Sequence, residues 1–215
     1  MSEKCLRFFL GNLLMKVIYF ADLLGTFAFD ITGIIGSVHH NIDVVGAFFL
    51  ALATAMGGGI IRDMVLGVPS STFNDQYHLA TVFIGVVFTY IFIEKIRDQY
   101  NLFVCLDALG LAVFTVIGVE KAILLNVHFL GSILAGTLTA VGGGVIRDTL
   151  IGEIPFIFHK EVYAASSLLG GIIFYCLYKF NLLPLPFNIL LSVTIVFGMR
   201  LWGYRNRIHM PRFYR

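Results

Sequence analysis

The stretch Ala55-Met56-Gly57-Gly58-Gly59-Ile60-Ile61-Arg62-Asp63 returns, nearly letter for letter, as Ala140-Val141-Gly142-Gly143-Gly144-Val145-Ile146-Arg147-Asp148. Both copies lie inside long apolar runs. Glycine in a helix interior costs about 1 kcal/mol relative to alanine, so three in a row, twice, ask for a reason. Either the triplet breaks a membrane helix and sets bare backbone beside a polar path, or it lets a neighbouring helix approach. The pattern favours the first, because only one or two of three adjacent glycines can face one partner helix. Thr54 and Thr139, three residues before the triplets, add hydroxyls that suit a monovalent cation.

Outward from this motif the two halves keep one register. Asp22 matches Asp107, Gly33 matches Gly118, Gly46 matches Gly131, Thr54 matches Thr139 and Gly67 matches Gly152, without a gap from Asp22 to about Phe92. Chance likeness between apolar helices would match Leu, Ile and Val; these matches fall on Gly, Asp, Arg and Thr, so the chain is an internal duplication.

Composition sets the environment. Of 215 residues, 58% are hydrophobic and 13% charged, with a mean hydropathy of +0.88. A soluble domain carries about 25% charged residues, so this is an integral membrane protein. A span needs about 20 apolar residues, and seven are expected: 17–38, 44–66, 79–93, 102–119, 127–151, 162–178 and 183–202. The domains are then a first three-helix repeat (17–93), a second (102–178), a seventh helix (183–202) and a basic tail (203–215). Three spans per repeat make the second copy enter the membrane from the opposite side, so the repeats are inverted, with helices 2 and 5 broken. The fold class is all-α, with seven transmembrane helices.

Lysines and arginines orient it. A C-terminus on the cytoplasmic side collects Lys95, Arg97, Lys160 and Arg200, Arg205, Arg207, Arg212 and Arg215 there. The N-terminus then lies outside, in a plasma (inner) membrane. No cleavable signal peptide is expected, and Met15, just before the first long apolar run, is an alternative start to Met1.

Arg62-Asp63 and Arg147-Asp148 are read two ways: as pairs at the membrane edge, or as a network pairing Arg62 with Asp148 and Arg147 with Asp63 across the repeats. Asp22 and Asp107 sit near helix starts, where the dipole favours a carboxylate, or act as vestibule charges. Asp30 lies deeper and is assigned to the ion path. Glu120-Lys121 and Lys160-Glu161 are read as interfacial. Cys5, Cys105 and Cys176 form no disulfide or metal pattern, and adjacent His39 and His40 lack metal-ligand spacing. No nucleophile elbow, HExxH or phosphate-binding loop occurs, so an enzyme or ATP-driven pump is not expected. The net charge of +2 gives no reason for a nucleic-acid partner.

The doubled GGGxxRD at 57–63 and 142–148, with DLLGTFAFDITG at 22–33, LDALGLAVFTVIGVEKA at 106–122 and GEIPFIFHKEVYAA at 152–165, resembles the prokaryotic branch of the TRIC (trimeric intracellular cation) channels, also grouped as a "glycine transporter" domain family present twice per chain. The resemblance spans about residues 17–200. It implies a homotrimer with one hourglass pore per protomer, lined by helices 2 and 5, passing potassium and also sodium without a cofactor. In animal relatives an anionic phosphoinositide sits near a KEV-type segment; Lys160-Glu161-Val162 matches it, which makes Lys160 a candidate lipid contact. Asp30 departs from the pattern, where a small apolar residue follows the phenylalanine. The expected function is a passive monovalent cation channel. The alternatives are a carrier for a small neutral solute such as glycine, on the same inverted-repeat logic, and a non-transporting membrane scaffold. Partners are membrane lipids and copies of the chain itself, with no soluble partner inferred.

Overall fold

A computed structural model gives the architecture. It describes the backbone of residues 3–159 and 162–206, and side chains of 16–158 and 162–206. Lys160, the lipid-contact candidate, lies outside the described residues, as do Arg207, Arg212 and Arg215 of the tail.

The described chain is helical: α1 (Glu3–His39), α2 (Val44–Val65), α3 (Ser71–Asn74), α4 (Gln76–Ile96), α5 (Tyr100–Leu124), α6 (Phe129–Leu150), α7 (Phe156–His159), α8 (Tyr163–Lys179) and α9 (Leu185–Arg205). Among the described residues six helices are long and apolar enough to cross a membrane: α1 from Lys16, α2, α4, α5, α6 and α9. The sixth expected span is the 17-residue α8. At 1.5 Å per residue it reaches about 25 Å, short of a hydrocarbon core about 30 Å thick.

The duplication holds in three dimensions down to element boundaries. A shift from residue 44 to 129 carries both ends of α2 onto those of α6, α3 onto α7, and the end of α1 onto the end of α5. The same shift relates the left-handed residues that end the helices: Asn41 (φ 54°) to Asn126 (φ 57°), and Gly67 (φ 68°) to Gly152 (φ 78°). Each ends its helix the same way. The next residue's N–H reaches back five positions, from Ile42 to Ser37, Val127 to Ala122, Val68 to Asp63 and Glu153 to Asp148. These bonds satisfy carbonyls that helix ends leave unpaired, and they make sharp reversals, so consecutive helices pack as neighbours.

In the centre α2 packs on α6 and α1 on α5, with α4 outside α1 and α8 and α9 outside α5. Helix α5 is the most enclosed and α4 the least. Helices α1 and α4 run the same way: Tyr19, early in the α1 span that begins at Lys16, meets Asp75 and Tyr77 at the start of α4, and His39 at the end of α1 meets the Arg97 carbonyl at the end of α4.

Candidate conduction path

The glycine triplets lie where α2 crosses α6, but neither helix is broken. Each runs continuously through its triplet, from Val44 to Val65 and from Phe129 to Leu150, and the left-handed glycines among the described residues are Gly67 and Gly152, beyond the helix ends. The expectation of open helices is therefore corrected. The physical reason is that the enclosed helices have a different neighbour for each glycine. A methyl group on Gly58 would collide with the Thr139 carbonyl, and one on Gly143 with the Thr54 carbonyl. Gly57 faces the Ile146 side chain and Gly142 the Gly58 backbone with Ile61 beyond, while Gly59 and Gly144 meet Thr72 and Tyr163 of the surrounding helices. Backbone thus rests on backbone at the crossing, which is what small residues allow between membrane helices.

The threonines also differ from expectation. Thr54 Oγ1 donates to the Leu50 carbonyl (2.6 Å) and Thr139 Oγ1 to the Ala135 carbonyl (2.6 Å). Both are fully buried, and their hydroxyls abut the glycines of the preceding helices, Gly33 and Gly118. Asp30 is buried too, but its carboxyl presses on Gly85 of α4, away from the α2–α6 crossing.

At the end of each crossing helix lies an Arg–Asp site. The Asp does the same work in both. Asp63 Oδ2 accepts the Ser71 N–H (3.0 Å) and Asp148 Oδ2 accepts the Phe156 N–H (3.0 Å). Each carboxylate thereby ties the returning loop, and the short helix α3 or α7 that begins there, to the helix end. The expected cross-repeat pairs are replaced by pairs within each dipeptide: Arg62 Nε to Asp63 Oδ1 (2.7 Å) and Arg147 Nε to Asp148 Oδ1 (2.8 Å). Neighbouring helix positions point about 100° apart, and the long arginine stem spans that angle.

The surroundings of the two sites differ. Lys121 of α5 reaches the first, with Nζ 2.7 Å from Asp63 Oδ1 and 2.9 Å from Ser71 Oγ. In the second, Arg147 is wholly buried. It donates to Asp107 Oδ1 (3.1 Å) and Thr32 Oγ1 (2.9 Å), and its guanidinium lies 4.7 Å from the Phe103 ring centre and 5.5 Å from that of Phe156. Tyr163 also donates to Asp107 (3.4 Å), and Arg200 lies 4.8 Å above the Tyr163 ring. Arg200, counted among the cytoplasmic-side cations, is thus a buried residue that anchors α9 to this cluster. Above Arg147 opens a cavity of about 540 Å³ with Gly36, His39, His40, Arg97 and Glu153 in its wall. The repeat position of Lys121 is Gly36: one copy has an ammonium where the other has space.

The remaining candidates fall elsewhere. Asp22 Oδ2 lies 3.1 Å from His78 Nε2, whose Nδ1 is 3.0 Å from Asp75. Glu120, read as interfacial, is buried. His40 meets Glu153 at 3.3 Å, and no group of three metal-ligating side chains occurs among the described residues. Lys121, Asp107 and Gly36 were underrated by sequence alone, although the repeat register pairs Lys121 with Gly36.

Comparison with known proteins follows the same lines. The family model described as "Glycine transporter" matches residues 19–94 and again 104–179. The chain is 34% identical over 199 residues to the UPF0126 inner membrane protein YadS of Escherichia coli (strain K12), covering 92% of this chain and 96% of that protein. It is 39% identical over 160 residues to a UPF0126 membrane protein of Vibrio cholerae, covering 73% of this chain and 66% of that one. Its fold superposes on the crystal structure of the TRIC trimeric intracellular cation channel orthologue from Rhodobacter sphaeroides with a TM-score of 0.84 at 31% identity, over 89% of this chain and 99% of that one. The structural neighbours are named as channels and the family model as a transporter, neither as an enzyme. A duplicated helical repeat, matched twice by one family model and once over 89% of the chain by a solved channel orthologue, makes this chain a member of the prokaryotic TRIC, or "Glycine transporter", family.

Proposed function

We propose that the protein is a passive monovalent cation channel of the inner membrane, passing potassium and also sodium. The observation that carries it is the pair of helices α2 and α6, in backbone contact at their glycines and ending in matched Arg–Asp sites, within a fold shared with the Rhodobacter cation channel orthologue. The reciprocal contacts, Gly58 on the Thr139 carbonyl and Gly143 on the Thr54 carbonyl, run in opposite chain directions. They support inverted repeats about a pseudo-two-fold axis, with spans 17–93 and 102–178 as the units, residues 183–202 as an added seventh span and 203–215 as a tail.

The path runs along the α2–α6 crossing between the two Arg–Asp sites and is closed in this conformation. Gly57–Gly59 and Gly142–Gly144 are its narrowest level and act as hinges: glycine lowers the cost of bending a helix, and bending would turn Thr54, Thr139 and main-chain carbonyls toward passing ions. Asp30 lies off this crossing, on the α1–α4 side, and its carboxyl would act on the path through α1. Three copies assemble, by analogy with the Rhodobacter orthologue, which is named a trimeric channel. The N-terminus lies outside and the C-terminus in the cytoplasm, following the lysine and arginine bias.

A second reading, a carrier for a small neutral solute such as glycine, is favoured by the cavity above Arg147, which lies beside a closed crossing as alternating access requires. Planar-bilayer recording of purified protein under a potassium gradient decides between them. Unitary currents that reverse at the potassium potential support the channel. Saturable glycine uptake into vesicles without unitary currents overturns it in favour of the carrier.

A further inference from the structure

Where α5 and α8 end and α6 begins, a second cavity of about 280 Å³ is walled by Asn126, His128, Phe129, Tyr175, Tyr178 and Lys179, among others. Among the described residues no carboxylate lines it. The side-chain polar atoms of Asn126, His128, both tyrosines and Lys179 make no hydrogen bond or ion pair with other described residues. Asn126, His128 and Lys179 are exposed at the cavity and both tyrosines half-buried, so the site presents polar groups that no protein group pairs with. It also holds the start of a long helix: His128 is the N-cap of the 22-residue α6 and makes no side-chain capping bond, so the first N–H groups of α6 face outward with a partial positive charge.

The duplication supplies an internal control. The repeat positions of Asn126, Tyr175, His128 and Lys179 are Asn41, Tyr90, Asp43 and Glu94. The asparagine and tyrosine are kept, while both basic residues become acidic. Asp43 caps α2 itself, accepting the Gly46 N–H at 2.7 Å. One end of the duplicated unit satisfies its helix start with its own carboxylate; the other leaves that start free and surrounds it with cationic and hydroxyl donors.

We propose that this cavity binds the phosphate of a membrane phospholipid. An anion at a helix N-terminus beside a lysine satisfies the free donors. A lipid is the source because apolar surface adjoins the site: Leu130 and Phe180 are each 70% exposed and Leu182 63%, a surface for acyl chains at the level where spans leave the hydrocarbon. Lysine and tyrosine at such a boundary serve as interfacial anchors; here they converge on one cavity.

The test is native mass spectrometry of the purified full-length protein with phosphatidylglycerol, beside a thermal-shift measurement with inorganic phosphate alone. The unaltered protein retains the lipid, Lys179→Glu lowers retention about tenfold, and Lys179→Arg restores it. His128→Asp is the sharper variant. It copies Asp43, so it caps α6 and raises thermal stability, yet it expels the phosphate and lowers retention similarly. Equal retention in the unaltered protein and His128→Asp overturns the proposal. So does stabilisation by inorganic phosphate as large as that by the lipid, which would make the site one for a free anion.

Discussion

The two Arg–Asp sites are copies of one device with opposite finishes. At the end of α2, Asp63 holds the loop at Ser71, and Lys121 is laid across the site. At the end of α6, Asp148 holds the loop at Phe156, and the position of that lysine is Gly36, beneath an open cavity. The charge balance shifts accordingly. Asp63 has two cationic partners, Arg62 and Lys121. Arg147 instead has two anionic ones, Asp148 and Asp107. Duplication preserved the skeleton, while Lys121 in one copy against Gly36 in the other sets whether a lysine or a cavity adjoins the helix end.

The comparison is broken most severely at Arg147. Arg147→Ala leaves Asp107 and Asp148 buried without their cation, a loss of about 3–5 kcal/mol. Arg62→Ala leaves Asp63 still paired with Lys121 and costs much less. Thermal unfolding in detergent should rank them so; equal losses would remove the asymmetry. Next comes the crossing. Gly58→Leu or Gly143→Leu drives a side chain into a facing carbonyl, with an overpacking cost of about 1–3 kcal/mol. Both stability and single-channel conductance should fall; conductance lost at full stability would return the triplets to a pure pore-lining role. A gentler change exchanges the finishes. Lys121→Ala uncovers the first site and should raise open probability several-fold in bilayers. Gly36→Lys should lower it, and its new Cβ would sit 3.7 Å from Arg147, an ordinary contact. The smallest effect is a coupling energy. Arg62→Ala and Asp148→Ala should add within about 0.5 kcal/mol, whereas Asp63→Ala and Lys121→Ala should not.

Much of this was legible in the chain. The register of the duplication predicted that α2 and α6 are equivalent, and it extends to helix ends and turn residues. What the letters do not carry is which surface stands opposite which. Three adjacent glycines look excessive for packing if one partner is imagined; Gly57, Gly58 and Gly59 face Ile146, the Thr139 backbone and Thr72 respectively. The pairing of Arg62 with its own neighbour depends on where the chain turns after Gly67, and the four-residue helices α3 and α7 are too short to leave a periodic signal. Lys121 reads as an edge charge until the helix beside it is known. Arg200 reads as a charge at the cytoplasmic end of its span for the same reason.

Asp30 fills the notch left by the missing side chain of Gly85, and neither of its carboxyl oxygens finds a hydrogen-bond partner among the described residues. The two positions are therefore coupled. A methyl group on Gly85 would meet the tip of the Asp30 side chain, so the aspartate has to swing aside to admit it; with alanine at position 30 the notch can be filled without that movement. A change at Gly85 is thus easier to accommodate alongside a change at Asp30 than alone.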